Sequence, residues 1–409
     1  MKNVVKSNVK LKCISCGTEY PPDPRLYKCR KCSGLLTVEY DFSKTKISWN
    51  DFEGKGVWRY KQLLPPSEQL YDKTVTLHEG DTPLIKLENL VTQSNVYVKF
   101  EGANPTGSFK DRGMTVAVTL AKHIGSRLVI VASTGNTAAS VSAYASRANI
   151  KSAIVLPKGK VALGKLAQSI LHGALIFEIK GNFDDALDTV RKVVEINPEI
   201  YPLNSFNPWR LEGQKTLAFE VAEELGVPDW VVVPVGNAGN ISAIWKGFKE
   251  LYELKLIPKL PRMVGVQSEG ASPLATAFER GLDKPVFVEK PETIATAIRI
   301  GRPINWPKAM MAVKESKGLF LKVSDREIVD AMAKLGSMEG IDAEPAGASS
   351  IAGYLKLLKQ GVVSKKDKVV CVVTGHALKD PDAMLRISVN RVIVSKAEAV
   401  ETILKTVSQ

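Results

Sequence analysis

A chain of 409 residues is too long for one small core and suits two or three domains. Its composition, 44% hydrophobic and 24% charged, argues against global disorder, and no segment approaches the roughly 20 apolar residues that cross a bilayer. The formal net charge of +13 is spread over predicted helices and interleaved with Asp and Glu. We therefore expect a solvated surface that attracts small anions, with no nucleic-acid or membrane partner.

Two CxxC pairs stand near the N-terminus: Cys13 with Cys16, and Cys29 with Cys32. Four thiolates at this spacing can close a tetrahedral metal site, and four protein ligands leave no open position for catalysis. We therefore expect residues 1–45 to form a zinc-ribbon-like module that holds a structural zinc ion. A rubredoxin-like iron site and an empty or oxidised knuckle remain as alternatives. The clustered cysteines and the lone Cys371 are typical of a cytoplasmic protein.

From residue 95 onward, short β-branched runs alternate with amphipathic helical patterns. Strands are predicted at residues 96–100, 128–132, 152–156, 175–179, 230–235, 262–267 and 369–373. Helices are predicted at residues 112–124, 138–148, 162–172, 183–196, 211–225 and 241–254. Strands that alternate with helices of this length form βαβ units and parallel sheets. We expect an α/β protein with two doubly wound domains: residues 46–99 begin the large domain, 100–205 form the small domain and 206–409 complete the large one.

The segment from Glu101 to Gly113 reads as a strand end, a loop built from Asn, Pro and Gly, and then a helix start. This arrangement places Lys110 at the N-terminus of a helix, near a positive dipole and other cations. Such surroundings favour the neutral amine, which a lysine needs in order to attack a carbonyl group. A lysine in an ordinary loop would instead be a solvated surface residue.

Small and hydroxyl-bearing residues follow the strand at 128–132, in the string from Ser133 to Thr137. Free amides at a helix N-terminus form a cradle suited to a carboxylate. An N-cap turn without a ligand would explain the serine and threonines but not the whole string.

The strand at 230–235 is followed by a glycine-rich turn from Gly236 to Asn240. Such a turn lets backbone amides approach a phosphate, with the dipole of the next helix behind it. Alone it is weak support for a ligand, because it also suits a nucleotide or a merely tight turn.

Asn204, Ser205 and Arg210 enter another predicted helix after a turn that contains proline. They offer amide, hydroxyl and forked guanidinium donors within a short reach, which suits a second phosphate. Helix capping with an exposed arginine is the alternative.

Thr374 follows the last predicted strand at its carboxyl end, where α/β sheets bind ligands. Glu344-Pro345-Ala346 begins a helix. His376 is a candidate acid or base, but we expect it either to cap a helix or to support the site from behind its contact residues.

In this order, the motifs from Cys13 to about Asp380 resemble those of threonine synthases, which are fold-type II enzymes dependent on pyridoxal 5′-phosphate (PLP). The Asn-Pro-Thr-Gly-Ser-Phe-Lys-Asp-Arg string around Lys110 is similar to the PLP-lysine segment of that family. The resemblance implies PLP bound to Lys110, with the ring lined by Glu344-Pro345-Ala346. The remaining implied PLP contacts are Asn136 at the 3′-oxygen, Thr374 at the ring nitrogen, and the phosphate loop Gly236, Asn237, Ala238, Gly239 and Asn240. The implied substrate contacts are Ser133, Thr134, Asn136 and Thr137 for the carboxylate, and Asn204, Ser205 and Arg210 for the phosphate.

The same resemblance implies conversion of O-phospho-L-homoserine and water to L-threonine and phosphate by β,γ-replacement, in threonine biosynthesis, by a homodimer. Freed Lys110 would act as base at Cα, and a threonine hydroxyl at the ring nitrogen would leave that nitrogen largely unprotonated. A related PLP enzyme that acts on threonine, serine or O-phosphoserine, such as cysteate synthase, is the alternative within enzymes. A zinc-ribbon RNA-binding protein is the alternative in another class, but it leaves the Lys110 segment unexplained.

Overall fold

The computed structural model of the chain describes residues 8–65, 73–159, 163–387 and 393–407. Its strands are β1 Asn8–Cys13, β2 Glu19–Tyr20, β3 Leu36–Asp41, β4 Leu84–Lys86, β5 Val96–Phe100, β6 Leu128–Ala132, β7 Lys151–Pro157, β8 Leu175–Ile179, β9 Ile200–Pro202, β10 Trp230–Pro234, β11 Arg262–Ser268, β12 Leu319–Val323 and β13 Val369–Val373. Its α-helices are α1 Lys110–His123, α2 Asn136–Ala148, α3 Leu163–Leu171, α4 Phe183–Ile196, α5 Trp209–Gln214, α6 Thr216–Leu225, α7 Gly239–Glu253, α8 Pro273–Glu279, α9 Trp306–Glu315, α10 Asp325–Glu339, α11 Pro345–Lys359, α12 Pro381–Met384 and α13 Lys396–Val407. Across these ranges, none of the helices combines the length and apolar character needed to span a membrane.

The strands form three sheets. The N-terminal sheet has the order β2-β1-β3 and is antiparallel. The largest sheet has the order β12-β11-β10-β13-β5-β4 and is parallel except for the edge strand β4. The third sheet, β8-β7-β6-β9, is wholly parallel. The α/β architecture is confirmed. The domain boundaries stay a prediction. Each predicted unit contains strands of one sheet, except that β5 crosses the predicted boundary after residue 99 because it ends at Phe100.

Burial on both faces explains why the central strands are continuous apolar runs. In β10, Val231 and Val233 pack into one core of the six-stranded sheet, and Val232 packs into the core on the opposite face. In the same way, Val129 and Ile130 of β6 face two different cores of the four-stranded sheet. These runs gave the clearest sequence signal, and all seven predicted strands are confirmed within about two residues.

Two strands after residue 95 were missed for physical reasons. The strand β9 has only three residues and ends at a proline. The strand β12 lies at the edge of its sheet, and it carries Lys322, which pairs with Glu279 at 2.6 Å. The helix predicted at 211–225 is two helices, α5 and α6, that meet at Lys215.

The N-terminal sheet shares a hydrophobic core with one face of the six-stranded sheet and the helices that cover it. Its Leu11, Leu36 and Val38 belong to the same hydrophobic core as Trp209 and Phe219. The Tyr40 hydroxyl donates to Glu212 Oε2 at 2.7 Å, and Lys308 Nζ donates to the Leu36 carbonyl at 2.7 Å. The module is therefore joined to the rest of the chain by apolar packing and buried polar contacts.

Candidate active site

A cavity of about 400 Å³ lies at the carboxyl ends of strands from both parallel sheets. The loops after β6, β9, β10 and β13 line it, together with the first residue of α1. Within each sheet, parallel strands end at the same edge, and the cavity is lined by loops from such an edge of both sheets. The cavity wall includes these predicted cofactor and substrate contacts: Lys110, Ser133, Thr134, Asn136, Thr137, Asn204, Ser205, Arg210, Gly236, Asn237, Ala238, Gly239, Asn240 and Thr374. Of the segment predicted to line the PLP ring, Glu344 and Ala346 are part of the wall and Pro345 is not.

Lys110 is the first residue of α1, and its Nζ lies 3.9 Å from the centre of the Phe109 ring. Burial lowers the pKa of the Lys110 amine to about 7, with the nearby Arg210 acting in the same direction and Glu344 opposing it. The sequence predicted a neutral amine from a helix dipole and neighbouring cations. The structure adds burial as the largest cause. An amine with this pKa can be nucleophilic near neutral pH and can also carry a proton.

The loop after β10 is shaped for close approach by a ligand. Ala238 has a left-handed backbone, and α7 begins at the next residue. A Cβ on Gly236 would lie 3.0 Å from Ile298 Cα and 3.1 Å from the Ala297 carbonyl oxygen, so a side chain there would crowd the neighbouring backbone. Both polar atoms of the Asn240 side chain are buried and lack a hydrogen-bond partner among the described residues. Amides at the N-terminus of a 15-residue helix, beside an unsatisfied Asn240, fit the phosphate of PLP.

Arg210 is a cation that the described protein leaves without a counter-charge. It is 4% exposed, its Nη1 donates to the Leu203 carbonyl at 2.9 Å, and its Nε has no hydrogen-bond partner within the ranges described. Burial lowers the pKa of Arg210 to about 10. Because a buried charge is costly without a partner, we interpret this guanidinium as a binding group for an anionic ligand. The capping alternative with an exposed arginine is wrong.

Asn204 and Ser205 line the same part of the cavity, but they are partly engaged by the protein. Asn204 Oδ1 accepts from the Ala132 amide at 3.1 Å, and its Nδ2 donates to the Ala132 carbonyl at 3.0 Å. One amide hydrogen of Asn204 therefore remains for a ligand. The Ser205 carbonyl accepts from Asn305 Nδ2 at 2.9 Å, which ties this loop to the start of α9.

Three charged residues of the cavity wall, Arg299, Glu344 and Lys379, were given no chemical role from the sequence. Glu344 is 3% exposed and accepts hydrogen bonds from Asn136 Nδ2 at 2.9 Å and from Thr374 Oγ1 at 3.1 Å. Lys379 donates to the Thr106 carbonyl at 3.0 Å and also to Gln168. The segment Glu344-Pro345-Ala346 was predicted only to line the PLP ring. The position of Glu344 directly before Pro345, which starts α11, was the sequence signal that could have indicated a further role for its carboxyl group.

His376 is confirmed as a capping residue. Its Nδ1 accepts from the Leu378 amide at 3.1 Å, at the start of the short 3-10 helix Ala377–Lys379. Its side chain is not part of the cavity wall.

The four N-terminal cysteine sulfurs lie within 4.8 Å of one another, away from the cavity. Cys13 Sγ is 3.5 Å from Cys32 Sγ, and Cys16 Sγ is 3.6 Å from Cys29 Sγ. A tetrahedral zinc ion with bonds of about 2.3 Å would hold its sulfurs about 3.8 Å apart, so the donor set fits zinc. The turns close through Gly17 N to Cys13 O and Ser33 N to Cys29 O.

The sequence of the chain is similar to those of known PLP-dependent enzymes. The family described as "Pyridoxal-phosphate dependent enzyme" matches residues 75–375. The chain is 52% identical to threonine synthase of Methanocaldococcus jannaschii over 386 residues, which cover 92% of this chain and 94% of that protein. It is 53% identical to threonine synthase of Mycobacterium tuberculosis over 330 residues, 80% of this chain and 89% of that protein.

Solved structures share the fold at lower sequence identity. Threonine synthase from Escherichia coli superposes with a TM-score of 0.74 at 20% identity, over 95% of this chain and 94% of that one. Maize serine racemase superposes with a TM-score of 0.63 at 21% identity, over 80% of this chain and 92% of that one. The matched family and the identities above 50% over most of the chain place this protein in the threonine synthase family of PLP-dependent enzymes.

Proposed function

We propose that the chain converts O-phospho-L-homoserine and water to L-threonine and phosphate, with PLP on Lys110. The observation that carries this proposal is Arg210, a buried guanidinium for which the described residues supply no counter-charge. It lies on α5, whereas the glycine-rich loop of residues 236–240 leads into α7, so the cavity offers an anion two different sets of donors. One anion site serves the phosphate of PLP. The second serves a phosphate that belongs to the substrate, which amino-acid substrates without a phosphate would not need.

The proposed roles follow from the positions of the side chains. When bound, PLP supplies an electron sink that makes the protons of an attached amino acid more acidic. The first turn of α2, with Ser133 and Thr137, holds the substrate carboxylate at a helix N-terminus. Lys110, with a pKa near 7, takes and returns the proton at Cα. Arg210 binds the departing phosphate and stabilises the negative charge that grows as its bond to carbon breaks.

The experiment that tests this function is product identification. PLP-loaded protein is offered O-phosphohomoserine or O-phosphoserine, and the amino acid formed is identified by mass spectrometry. We expect threonine from the first and little reaction with the second. A faster reaction with O-phosphoserine would favour the cysteate-synthase alternative and overturn the proposal.

We predict that the PLP-loaded protein is yellow and that borohydride fixes PLP to Lys110. With a pKa of about 7, the Lys110 amine becomes neutral as the pH rises through 7. The rate of PLP uptake by PLP-free protein should therefore rise through that range and then level off, whereas an ordinary lysine would keep gaining up to about pH 10. Peptide mapping of the borohydride-reduced protein identifies the lysine that carries PLP. Lys379 lines the same cavity and is the internal control, and a label on it would contradict the assignment.

We also propose that Cys13, Cys16, Cys29 and Cys32 hold one structural zinc ion, which the spacing of their sulfurs supports. Replacing Cys13 and Cys29 by serine should release about one metal ion per chain and lower the melting temperature. Turnover by the surviving folded protein should change little, because the sulfurs do not line the cavity. Cys371→Ala is the matched control: this thiol is buried alone in β13 and should leave the metal content unchanged. Elemental analysis measures the outcome, and a metal-free wild type would exclude the site.

We further propose a homodimer in the cytoplasm. Unpaired, clustered cysteines support a reducing compartment. Exposed apolar side chains around α3 and β8, such as Leu171 and Phe177, support self-association. Analytical ultracentrifugation at micromolar concentration measures the oligomeric state.

A further inference from the structure

Glu344 is the single carboxylate in the wall of the described cavity, and the proposed function gives it no role. Each of its oxygens accepts one hydrogen bond. Oε2 accepts from Asn136 Nδ2 at 2.9 Å, and Oε1 accepts from Thr374 Oγ1 at 3.1 Å. On the proposed function, these two partners face the PLP ring, at its 3′-oxygen and at its nitrogen. The carboxyl group therefore lies directly behind the residues that meet one edge of the ring.

The backbone holds Glu344 against Thr374. The Glu344 amide donates to the Gly375 carbonyl at 2.9 Å, and residues 343 and 376 form an isolated antiparallel bridge. A Cβ on Gly375 would lie 2.7 Å from Glu344 Cδ, so a glycine is needed for the carboxyl group to approach. These backbone contacts bring the carboxyl group of Glu344 within hydrogen-bond distance of the Thr374 hydroxyl group.

A hydroxyl group has one hydrogen, and the carboxyl group decides where that hydrogen points. If Glu344 is protonated, its O–H donates to Thr374 Oγ1, and the Thr374 hydrogen is free to donate to an unprotonated ring nitrogen. If Glu344 is ionised, it accepts the Thr374 hydrogen, and Oγ1 turns a lone pair to a ring nitrogen that carries the proton. The two arrangements differ by two short proton transfers: one from Glu344 to Thr374, and one from Thr374 to the ring nitrogen.

We propose that Glu344 and Thr374 form a proton relay, through which Glu344 supplies a proton to the ring nitrogen of PLP. The inference rests on the proposed function, because that function places Thr374 at the nitrogen. In the first transfer the Glu344 O–H bond breaks and a Thr374 O–H bond forms, and in the second a Thr374 O–H bond breaks and an N–H bond forms. Glu344 thus ends as a carboxylate, Thr374 keeps one hydrogen, and the net charge of Glu344, Thr374 and the ring together is unchanged. Glu344 is a positioning residue that acts through Thr374. A threonine alone would leave the nitrogen unprotonated, and the acid behind it changes that expectation.

The charges around Glu344 suit a group that can hold or release a proton. Burial raises the pKa of Glu344, while its hydrogen bonds from Asn136 and Thr374 and the cations Lys379 and Lys110 lower it. Burial is the largest of these effects, so the pKa of Glu344 is raised, which favours the protonated carboxyl group from which the relay starts.

The test uses holoenzyme loaded with PLP that carries ¹⁵N in the ring, because the ring nitrogen resonance separates the protonated and unprotonated forms. Asn136 needs an acceptor, so in Glu344→Gln the amide oxygen faces Asn136 and the amide nitrogen donates to Thr374. The Thr374 hydrogen is then directed at the nitrogen, and no proton is available to it. We expect the Glu344→Gln resonance at the unprotonated position at every pH tested, and the wild-type resonance displaced toward the protonated position.

Glu79→Gln is the matched control. Glu79 is another buried carboxylate that accepts from a hydroxyl, Tyr144 Oη at 2.6 Å, and from an amide, Leu77 N at 3.0 Å, but it does not line this cavity. Its variant should show the wild-type resonance. Thr374→Val breaks the relay at its other member and should match Glu344→Gln, which keeps the test valid if one variant does not fold. Equal resonances in wild type, Glu344→Gln and Thr374→Val would overturn the relay. A protein that binds no PLP at Lys110 would instead overturn the proposed function.

Discussion

Replacing Arg210 with leucine should lower the specificity constant for O-phosphohomoserine roughly 30- to 900-fold, a loss of about 2–4 kcal/mol of transition-state stabilisation, without weakening PLP binding. The guanidinium is buried, and the carboxylates of the described protein do not pair with it, so its free energy of interaction is available to the substrate phosphate. The variant removes this charge and leaves Lys110, the loop of residues 236–240 and Thr374 in place. Steady-state kinetics and PLP titration measure the two quantities.

The control for Arg210→Leu compares two classes of ligand, one with a phosphate group and one without. Amino acids without a phosphate do not use the guanidinium, so their binding to PLP-loaded protein, followed by absorbance, should be nearly unchanged. Arg210→Lys keeps the charge without the fork and should lose less than the leucine variant. Equal losses for both ligand classes would mean that Arg210 supports the fold or the cofactor and does not bind a substrate phosphate.

Gly213→Ala should destabilise the protein by about 3 kcal/mol or more, because α1 and α5 cross with their backbones in contact at this residue. A Cβ on Gly213 would overlap the carbonyl oxygen of Arg112, which is backbone and cannot rotate away. The crossing is reciprocal, since a Cβ on Gly113 would lie 2.7 Å from the Arg210 carbonyl oxygen. Chemical denaturation of the PLP-free protein measures the loss.

The same crossing sets the separation of Lys110 on α1 from Arg210 on α5, so folded Gly213→Ala protein should also turn over more slowly. Gly336→Ala is the matched control, because Gly336 lies inside α10 and a Cβ there would meet no atom within 4 Å. This variant should gain about 0.5–1 kcal/mol from helix propensity. A Gly213→Ala protein as stable as Gly336→Ala would contradict the close crossing.

The local pattern of apolar residues in the sequence predicted much of the fold. The run at residues 230–234 is apolar at every position because both of its faces are buried, and such a run can be recognised without knowing its neighbours. The loops that begin at Ser133, Gly236 and Thr374 each follow such a run, and parallel strands bring their carboxyl ends to one edge of each sheet. The meeting of the Gly236 and Thr374 loops was therefore predictable from strand type, whereas the approach of the Ser133 loop depends on how the four-stranded sheet packs beside the six-stranded one.

Only the tertiary structure decided the electrostatics of that cavity. Whether Arg210 was exposed or buried depended on which groups surround it, and burial is also the main reason for the low pKa of Lys110. The bond from Asn136 to Glu344 spans 208 positions, and no periodicity links residues so far apart. Sequence pattern reports which residues follow a strand, because that depends on neighbours along the chain. The desolvation of a charge and the direction of a hydroxyl hydrogen depend on neighbours in space, which the packing of two separate sheets brings together.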